Sequence, residues 1–230
     1  MDDDMYAGLL TGDSKRAETK TLLDADYARL YAANIIGHLR RVGLPAAGGC
    51  LDMGCGAGVI TDALRALRGG SGLGVELSPA AVTYASARFP LTRYHHGSAD
   101  ELSQVEDASL GLVHAREMYP YSRTMDADLH TSFLAAALPK LMAGGIFAVI
   151  QVRDPSVGKG LHNTLTEVQS RAKGLGYRQM GVLPMVPQRV FARLGPPSHS
   201  WPVFSLWSAV AGAVERRRPG SVSFVYWFKA

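Results

Sequence analysis

A run of glycines follows a short apolar segment near residue 50, and its spacing predicts a ligand-binding turn. The segment reads CLDMGCGAGVITD over residues 50–62, with glycine at every second position, Gly54, Gly56 and Gly58. A glycine-rich turn between a strand and a helix lets backbone N–H groups approach a ligand, because no side chain stands between them. The dinucleotide-binding pattern is G-x-G-x-x-G/A, which would require a small residue at Val59. The observed spacing therefore departs from the dinucleotide pattern.

A second segment contains side chains that could bind a ligand or transfer a proton. It reads EMYPYSR over residues 117–123. It is predicted to follow a buried strand, at the carboxyl edge where open α/β sheets bind ligands. Glu117 could act as a general base there, while Tyr119, Tyr121 and Arg123 could shape a polar or aromatic pocket. The same residues could instead form a rigid proline turn whose tyrosines pack on the next helix. Both interpretations stay open at this point.

The composition excludes several classes of protein. Basic residues exceed acidic ones by 24 minus 20, a surplus of four in 230 residues, which does not indicate binding to nucleic acid or to an anionic membrane. Cys50 and Cys55 flank one short strand, which favours a reduced protein without disulfides. The N-terminus is acidic where a signal peptide would be basic, and the apolar runs 144–152 and 201–214 are too short to span a bilayer. We therefore expect a cytoplasmic protein without a membrane segment.

Strands alternate with helices from residue 49 onward. This alternation predicts a parallel sheet with right-handed crossovers. Strands are predicted at 49–53, 72–76, 92–97, 109–115 and 144–152, and helices at 59–68, 78–88 and 126–142. The last of these helices is expected to be interrupted or tightened near Pro139. Ser78 and Pro79 are predicted as the N-cap and first residue of the second of these helices.

The two ends of the chain are predicted less completely. A helix over 21–43 is expected to open with a capping box of Thr21 and Asp24, after a mobile arm at 1–20. Toward the C-terminus we expect a helix at 160–173 and strands at 177–183 and 222–228, the last of them antiparallel. A helical stripe of Val203, Trp207, Val210 and Val214 lies between these two strands.

The glycine turn and its surroundings resemble a known family. Asp52-Met53-Gly54-Cys55-Gly56-Ala57-Gly58 resembles motif I, D/E-x-G-x-G-x-G, of the class I S-adenosylmethionine (SAM) dependent methyltransferases. Glu76 in GVELSP matches the acid that ends the second strand of that family. GLVHAREMYPYS resembles its fourth strand, and LPKLMAGGIFAVIQ resembles the approach to its fifth. A turn that merely needs small residues would explain the glycines but not Asp52 together with Glu76.

The resemblance covers residues 25–152 and implies a fold. That fold is Rossmann-like α/β, with a mostly parallel seven-stranded sheet, an antiparallel last strand and helices on both faces. We expect a single domain over 1–230, with the cofactor-binding core at 49–152 and a cover for the acceptor site at 184–220. Trp201, Phe204 and Trp207 in that cover could form a lid, pack in the core or form a homodimer face.

The resemblance also implies the cofactor, SAM, and the product S-adenosylhomocysteine (SAH). Glu76 would hold both ribose hydroxyls, since one carboxylate can accept two hydrogen bonds from a vicinal diol. Ser98 stands where many relatives have the acid that meets adenine, so Asp100 would have to replace it. The implied cofactor residues are Asp52, Met53, Gly54, Cys55, Gly56, Gly58, Glu76, Leu77, Ser98, Ala99, Asp100, Ala115 and Arg116.

The implied reaction is direct in-line displacement of the methyl group onto an oxygen or nitrogen of a small-molecule acceptor. Candidate catalytic residues are Glu117, Tyr119, Tyr121 and His114, although His114 is more readily interpreted as a structural residue of the sheet. One metal-dependent subclass carries a carboxylate after strand four. Here Ala115 and Arg116 stand there, and Asp154 alone cannot form a site, so no metal is predicted. The alternatives are a methyltransferase acting on RNA or protein, and a catalytically silent SAM-binding subunit.

Overall fold

The computed structural model describes residues 24–152, 160–185, 201–218 and 223–230, and the statements below refer to them. Their elements in chain order are α1 (Ala25–Arg40), β1 (Gly49–Met53), α2 (Val59–Arg68), β2 (Gly72–Glu76), α3 (Pro79–Arg88), β3 (Arg93–His96), β4 (Leu110–Arg116), α4 (Ala127–Ala137), β5 (Leu141–Val152), α5 (Leu161–Leu175), β6 (Gln179–Pro184), α6 (Trp201–Arg217) and β7 (Ser223–Lys229).

The strands form one sheet in the order β3-β2-β1-β4-β5-β7-β6. β7 runs antiparallel to both of its neighbours, and the remaining pairs are parallel. The predicted fold class, with its antiparallel last strand, is confirmed. The chain builds outward from β1 to β3 and then returns to place β4 on the other side of β1. Open α/β sheets bind ligands at the carboxyl edge of such a reversal in strand order.

Apolar clusters cover both faces of the sheet. On one face, α1 and α2 pack against alternate residues of the central strands, including Leu112 and Ile146. On the other face, α4 and α5 pack against Val113 and Phe147. Because side chains alternate along a strand, Leu112, His114 and Arg116 of β4 share the face that α1 covers.

The first helix begins later than predicted. α1 starts at Ala25, and Asp24 is its N-cap, since its carboxylate accepts the N–H groups of Asp26 at 2.8 Å and Tyr27 at 3.1 Å. The predicted role of Asp24 inside the first turn is therefore wrong, because its short carboxylate satisfies the free N–H groups directly. Thr21 and the predicted arm at 1–20 lie outside the described residues. The cap formed by Ser78, with Pro79 first in α3, is confirmed.

The passage from α4 into β5 also differs from the prediction. α4 ends at Ala137, and a 3-10 turn, Leu138–Lys140, leads directly into β5 at Leu141. The predicted tightening near Pro139 is confirmed, whereas the predicted end at residue 142 is too late, because Pro139 cannot donate a helical hydrogen bond.

In α6, Val210 and Val214 are each 38% exposed, whereas Ala211 is buried. Residues 186–200 and 219–222 lie outside the described residues, so the cover at 184–220 stays a prediction, as does the single domain.

Candidate functional site

A cleft of about 410 Å³ opens at the carboxyl edge of β1, β2 and β4. Its size lies within the range of about 300–1,000 Å³ that is usual for small-molecule sites. It is lined by Gly54, Val75, Glu76, Leu77, Gly97, Ser98, Ala99, Asp100, Arg116, Glu117, Met118, Tyr119, Leu129 and Phe133. Nine of the predicted site residues therefore border one cleft: Gly54, Glu76, Leu77, Ser98, Ala99, Asp100, Arg116, Glu117 and Tyr119.

Glu76, the last residue of β2, is fixed by the backbone around it. Its Oε2 accepts the Gly56 N–H at 3.0 Å, and its Oε1 accepts the N–H groups of Leu77 at 2.9 Å and Ser78 at 3.1 Å. The side chain is 9% exposed and lies on the wall of the cleft. Glu76 thus connects the glycine turn after β1 with the start of α3, and the two turns form one hydrogen-bonded corner.

The three glycines of the turn meet different requirements. All have positive φ angles, 69° at Gly54, 53° at Gly56 and 77° at Gly58, which other residues rarely adopt. A Cβ atom at Gly54 would lie 2.8 Å from the Met118 side chain, and one at Gly58 would lie 2.6 Å from the Tyr94 ring. Gly54 therefore lets the loop after β4 approach the cleft, whereas Gly58 serves packing beneath α3.

Asp52 lies under the turn rather than in the cleft. Its carboxylate is 3% exposed, and it accepts the Thr61 hydroxyl at 2.6 Å and the His114 Nδ1–H at 2.6 Å. The other imidazole nitrogen, Nε2, accepts the Tyr31 hydroxyl at 2.9 Å. Burial raises the pKa of Tyr31 well above its usual value, so the phenol keeps its proton and can donate it in this hydrogen bond.

Two predicted site residues, His114 and Asp52, belong to this buried chain and do not line the cleft. His114 is fully buried, and both of its ring nitrogens are engaged, so it is not placed to act on a ligand as a base. Asp52 does not line the cleft and instead holds β1, α2 and β4 together. Sequence reasoning missed Tyr31 and Thr61. Their helical positions relative to β1 and β4 depend on packing that no local pattern shows.

Four other predicted cofactor residues also lie behind the cleft wall. Met53 and Ala115 are completely buried in the core. The Cys55 thiol lies against β2, where a Cβ atom at Gly74 would be 2.6 Å from its sulfur. These three residues and Gly58 support the cleft from behind instead of lining it.

Short polar and larger apolar residues line the rest of the cleft. The Ser98 hydroxyl donates to the Asp100 carboxylate, which pairs the two residues considered for the adenine contact. Leu77, which is 68% exposed, and Leu129 and Phe133 of α4 line the same cleft. The apolar stripe of α4 was the available signal for Leu129 and Phe133, but it does not distinguish core residues from those at a cleft.

The loop after β4 divides its predicted catalytic residues between the cleft and the core. Glu117 is exposed on the cleft wall with a φ angle of 47°, which is uncommon outside glycine and asparagine. Tyr119 is 57% exposed beside it. Tyr121 is fully buried, donates its hydroxyl to the His130 carbonyl at 3.0 Å and packs on Phe133 and Phe147. The Tyr121 side chain does not line the cleft, and its predicted role in binding an acceptor stays a prediction.

The described part of the chain shows neither a metal-binding cluster nor a membrane-spanning helix. It contains no group of three or more His, Cys, Asp or Glu side chains that could hold a metal ion. None of its helices is both long and apolar enough to cross a bilayer. Asp154, the only predicted candidate for a metal ligand, lies outside the described residues.

Comparison with known proteins shows which domain the site-bearing segment is similar to. Residues 51–149 match the family model for the methyltransferase domain. No curated protein matches the sequence of this chain.

Solved structures of similar fold include a SAM-dependent methyltransferase from Archaeoglobus fulgidus, at 17% identity and a TM-score of 0.55, covering 86% of this chain and 94% of that one. The geranyl diphosphate C-methyltransferase of Streptomyces coelicolor A3(2), solved with Mg²⁺, geranyl diphosphate and SAH, is similar at 14% identity and a TM-score of 0.55, over 95% and 86% of the chains. The phosphoethanolamine N-methyltransferase 2 of Haemonchus contortus is similar at 17% identity and a TM-score of 0.54, over 86% of this chain and 51% of that one.

At sequence identities of 14–17%, the similarity to these solved structures shows the fold alone. The segment that matches the family model runs from β1 to β5 and contains the glycine turn and Glu76. Residues 51–149 thus match a methyltransferase domain, in agreement with the resemblance to the class I SAM-dependent methyltransferases that the sequence predicted.

Proposed function

We propose that this protein transfers a methyl group from SAM to an oxygen or nitrogen of a small-molecule acceptor, without a metal ion. The observation that carries the proposal is the corner formed by Glu76 and the glycine turn. The Glu76 carboxylate is already oriented by three backbone N–H groups, so it need not reorganise to accept a hydrogen bond from a ribose hydroxyl. A carboxylate offers about four lone-pair positions, so one remains on Oε2 after these three contacts.

The residues of this chain then have three tasks. SAM supplies a methyl group on a positively charged sulfur, which a nucleophilic atom of the acceptor attacks in line. Glu76 and the glycine turn hold the adenosine part, and the loop after β4 holds the acceptor about 3 Å from the methyl carbon. Glu117 accepts the proton that the acceptor loses, because it is the exposed carboxylate on that wall of the cleft.

A small acceptor fits the surroundings of Glu117. Met118, Tyr119, Leu129 and Phe133 give this part of the cleft an apolar and aromatic wall, with few polar groups to fix an orientation. The formal net charge of +4 offers little attraction for RNA. The names of the similar structures, which include a geranyl diphosphate and a phosphoethanolamine methyltransferase, support a small-molecule acceptor.

The test is SAH release from SAM with a panel of small hydroxyl and amine acceptors, beside calorimetry of SAM binding. We expect SAM to bind and one acceptor class to be turned over. NAD binding more tightly than SAM would contradict the cofactor assignment. SAM binding without turnover of any acceptor would favour the silent subunit, and turnover of RNA with steep salt dependence would favour the macromolecular alternative.

The same assay tests whether the reaction depends on a metal. Arg116 ends β4, where a metal-dependent relative would need a carboxylate, and its positive charge disfavours a cation there. Turnover should be unchanged after treatment with EDTA. Loss of turnover that magnesium restores would show a ligand set that includes residues outside the described part, Asp154 among them.

A further inference from the structure

Arg116 is held rigidly at the end of β4 by two aromatic residues of α1. Its guanidinium lies 4.6 Å from the centre of the Tyr31 ring and 5.5 Å from that of Tyr27. Its Nη2 donates to the Tyr27 hydroxyl at 2.7 Å. Tyr31 is itself fixed by its hydrogen bond to His114. The orientation of the guanidinium is therefore set before any ligand arrives.

The charge of Arg116 has no anionic partner among the described residues. Ion pairs there hold Arg65 to Asp62 and Arg171 to Asp128, but none includes Arg116. Its Nη1 is buried and makes no hydrogen bond within the same residues. Asp52, on the neighbouring strand, is already engaged by Thr61 and His114. A partly buried guanidinium with a free donor favours an anion from outside the chain.

The register of the sheet fixes where that anion would lie. Val75, Met53 and Ala115 are level on three neighbouring strands, so Glu76 and Arg116 each lie one residue beyond the same row. With strands about 4.8 Å apart, the two residues are separated by about 10 Å across the glycine turn. Both border the same cleft.

We propose that Arg116 binds the α-carboxylate of the amino-acid part of SAM, and that Tyr27 and Tyr31 are its positioning residues. This inference rests on the proposed function, in which Glu76 takes the ribose. The amino-acid part then extends from the ribose over Gly54 toward β4, and its carboxylate is the anion at that end of the molecule. The planar guanidinium can meet a carboxylate with two parallel N–H donors, which a lysine cannot do.

The test compares SAH with 5′-methylthioadenosine, which keeps the adenosine and the sulfur but lacks the carboxylate and the amine. Calorimetry gives both dissociation constants for the wild type, for Arg116→Gln and for the control Arg88→Gln. Arg88 is an exposed arginine whose guanidinium also lies near an aromatic ring, 5.8 Å from the centre of Phe89, but it is outside the cleft. We expect Arg116→Gln to weaken SAH binding at least about tenfold, the loss of a charge-assisted hydrogen bond, and to leave methylthioadenosine binding unchanged.

The positioning role has its own measurement. Tyr27→Phe keeps the ring beneath Arg116 and removes the hydroxyl that accepts from Nη2. It should lower the preference for SAH over methylthioadenosine about threefold, the loss of one modest hydrogen bond. An unchanged preference in Tyr27→Phe would refute its positioning role.

Several results would overturn the assignment of Arg116. Unchanged SAH binding in Arg116→Gln would do so, and if the KM of an anionic acceptor rose at the same time, the acceptor would be the ligand instead. An equal loss for SAH and methylthioadenosine would show a purely structural role. These outcomes differ from failure of the proposed function, in which the wild type itself would bind neither compound.

Discussion

Glu76 and Glu117 are two of the carboxylates that border the cleft, and their surroundings differ. Glu76 is 9% exposed and accepts three backbone N–H groups. Glu117, at the end of β4, is exposed, and its backbone has the uncommon φ angle of 47°. The first carboxylate is fixed by the fold, whereas the second projects from a loop whose own conformation is strained.

The difference between the two carboxylates indicates separate roles, one in cofactor binding and one in proton transfer. A rigid acceptor of hydrogen bonds suits a ligand that every catalytic cycle shares, because no reorganisation is needed on binding. An exposed carboxylate suits proton transfer to and from a reactant that must enter and leave. Changes near Glu76 should therefore alter cofactor affinity, and changes near Glu117 should alter the rate of the chemical step.

The largest effect is expected from Gly56→Val. Gly56 has a φ angle of 53°, which a β-branched residue strongly disfavours, and its N–H donates to Glu76. We expect SAM affinity to fall more than about a hundredfold, since the turn and its bond to Glu76 are both disturbed. Calorimetry measures the affinity, and circular dichroism checks the fold.

Gly69→Val is the matched control for Gly56→Val. Gly69 has a φ angle of 70° at the end of α2, with open space around its Cα and no part in the cleft. It should lose stability but keep its affinity for SAM. Normal SAM binding by Gly56→Val would show that the turn is not the cofactor site.

Glu117→Gln should have the next largest effect, on the rate alone. Replacing the carboxylate by an amide removes a base without changing the shape of the side chain. Single-turnover methyl transfer should slow by roughly a hundredfold at saturating SAM, as expected for loss of general-base catalysis. Glu167→Gln, an exposed substitution on α5, serves as the control. A wild-type rate in Glu117→Gln, or a loss confined to SAM affinity, would remove Glu117 from the role of base.

Glu76→Gln should change the affinity for SAM rather than the rate of methyl transfer. The amide keeps one acceptor oxygen, but it places an NH₂ group against donors of the backbone or the ribose. We expect SAM to bind at least about tenfold more weakly, the loss of one charge-assisted hydrogen bond, with the rate at saturating SAM nearly unchanged. Unchanged affinity would contradict the ribose assignment. A slower chemical step at saturating SAM would contradict the proposal that Glu76 acts on cofactor affinity and Glu117 on the rate.

The sequence predicted the cofactor side of the cleft better than the acceptor side, for physical reasons. The glycine turn and the cap at Ser78 are local devices, in which a few adjacent residues determine the backbone. The parallel sheet followed from the alternation of strands and helices, because parallel strands need crossover connections. Glu76 could be placed because it ends a strand next to that turn.

The misplaced residues depend on long-range packing instead. Asp52 belongs to the same motif as the glycines, yet its carboxylate points to Thr61 and His114. Tyr119 and Tyr121 are two residues apart in one loop, yet only Tyr119 reaches the cleft. A pattern of residue types cannot predict which way such side chains point, because the direction is decided by contacts with distant helices.

The smallest expected effect distinguishes these two tyrosines. Tyr119→Phe removes a hydroxyl from the cleft wall, and Tyr121→Phe removes one that donates to the His130 carbonyl inside the core. Tyr119→Phe should raise the KM of the acceptor about threefold, with SAM affinity and unfolding midpoint unchanged, because an exposed phenol contributes one modest hydrogen bond. Tyr121→Phe should leave the kinetics unchanged and lower the free energy of unfolding by about 1–2 kcal/mol, because the buried carbonyl loses its donor. Steady-state kinetics beside urea unfolding measures both quantities for each variant. A kinetic effect of Tyr121→Phe without loss of stability would show that its side chain turns toward the cleft when an acceptor binds, and the loop after β4 would then contribute both phenols to the site.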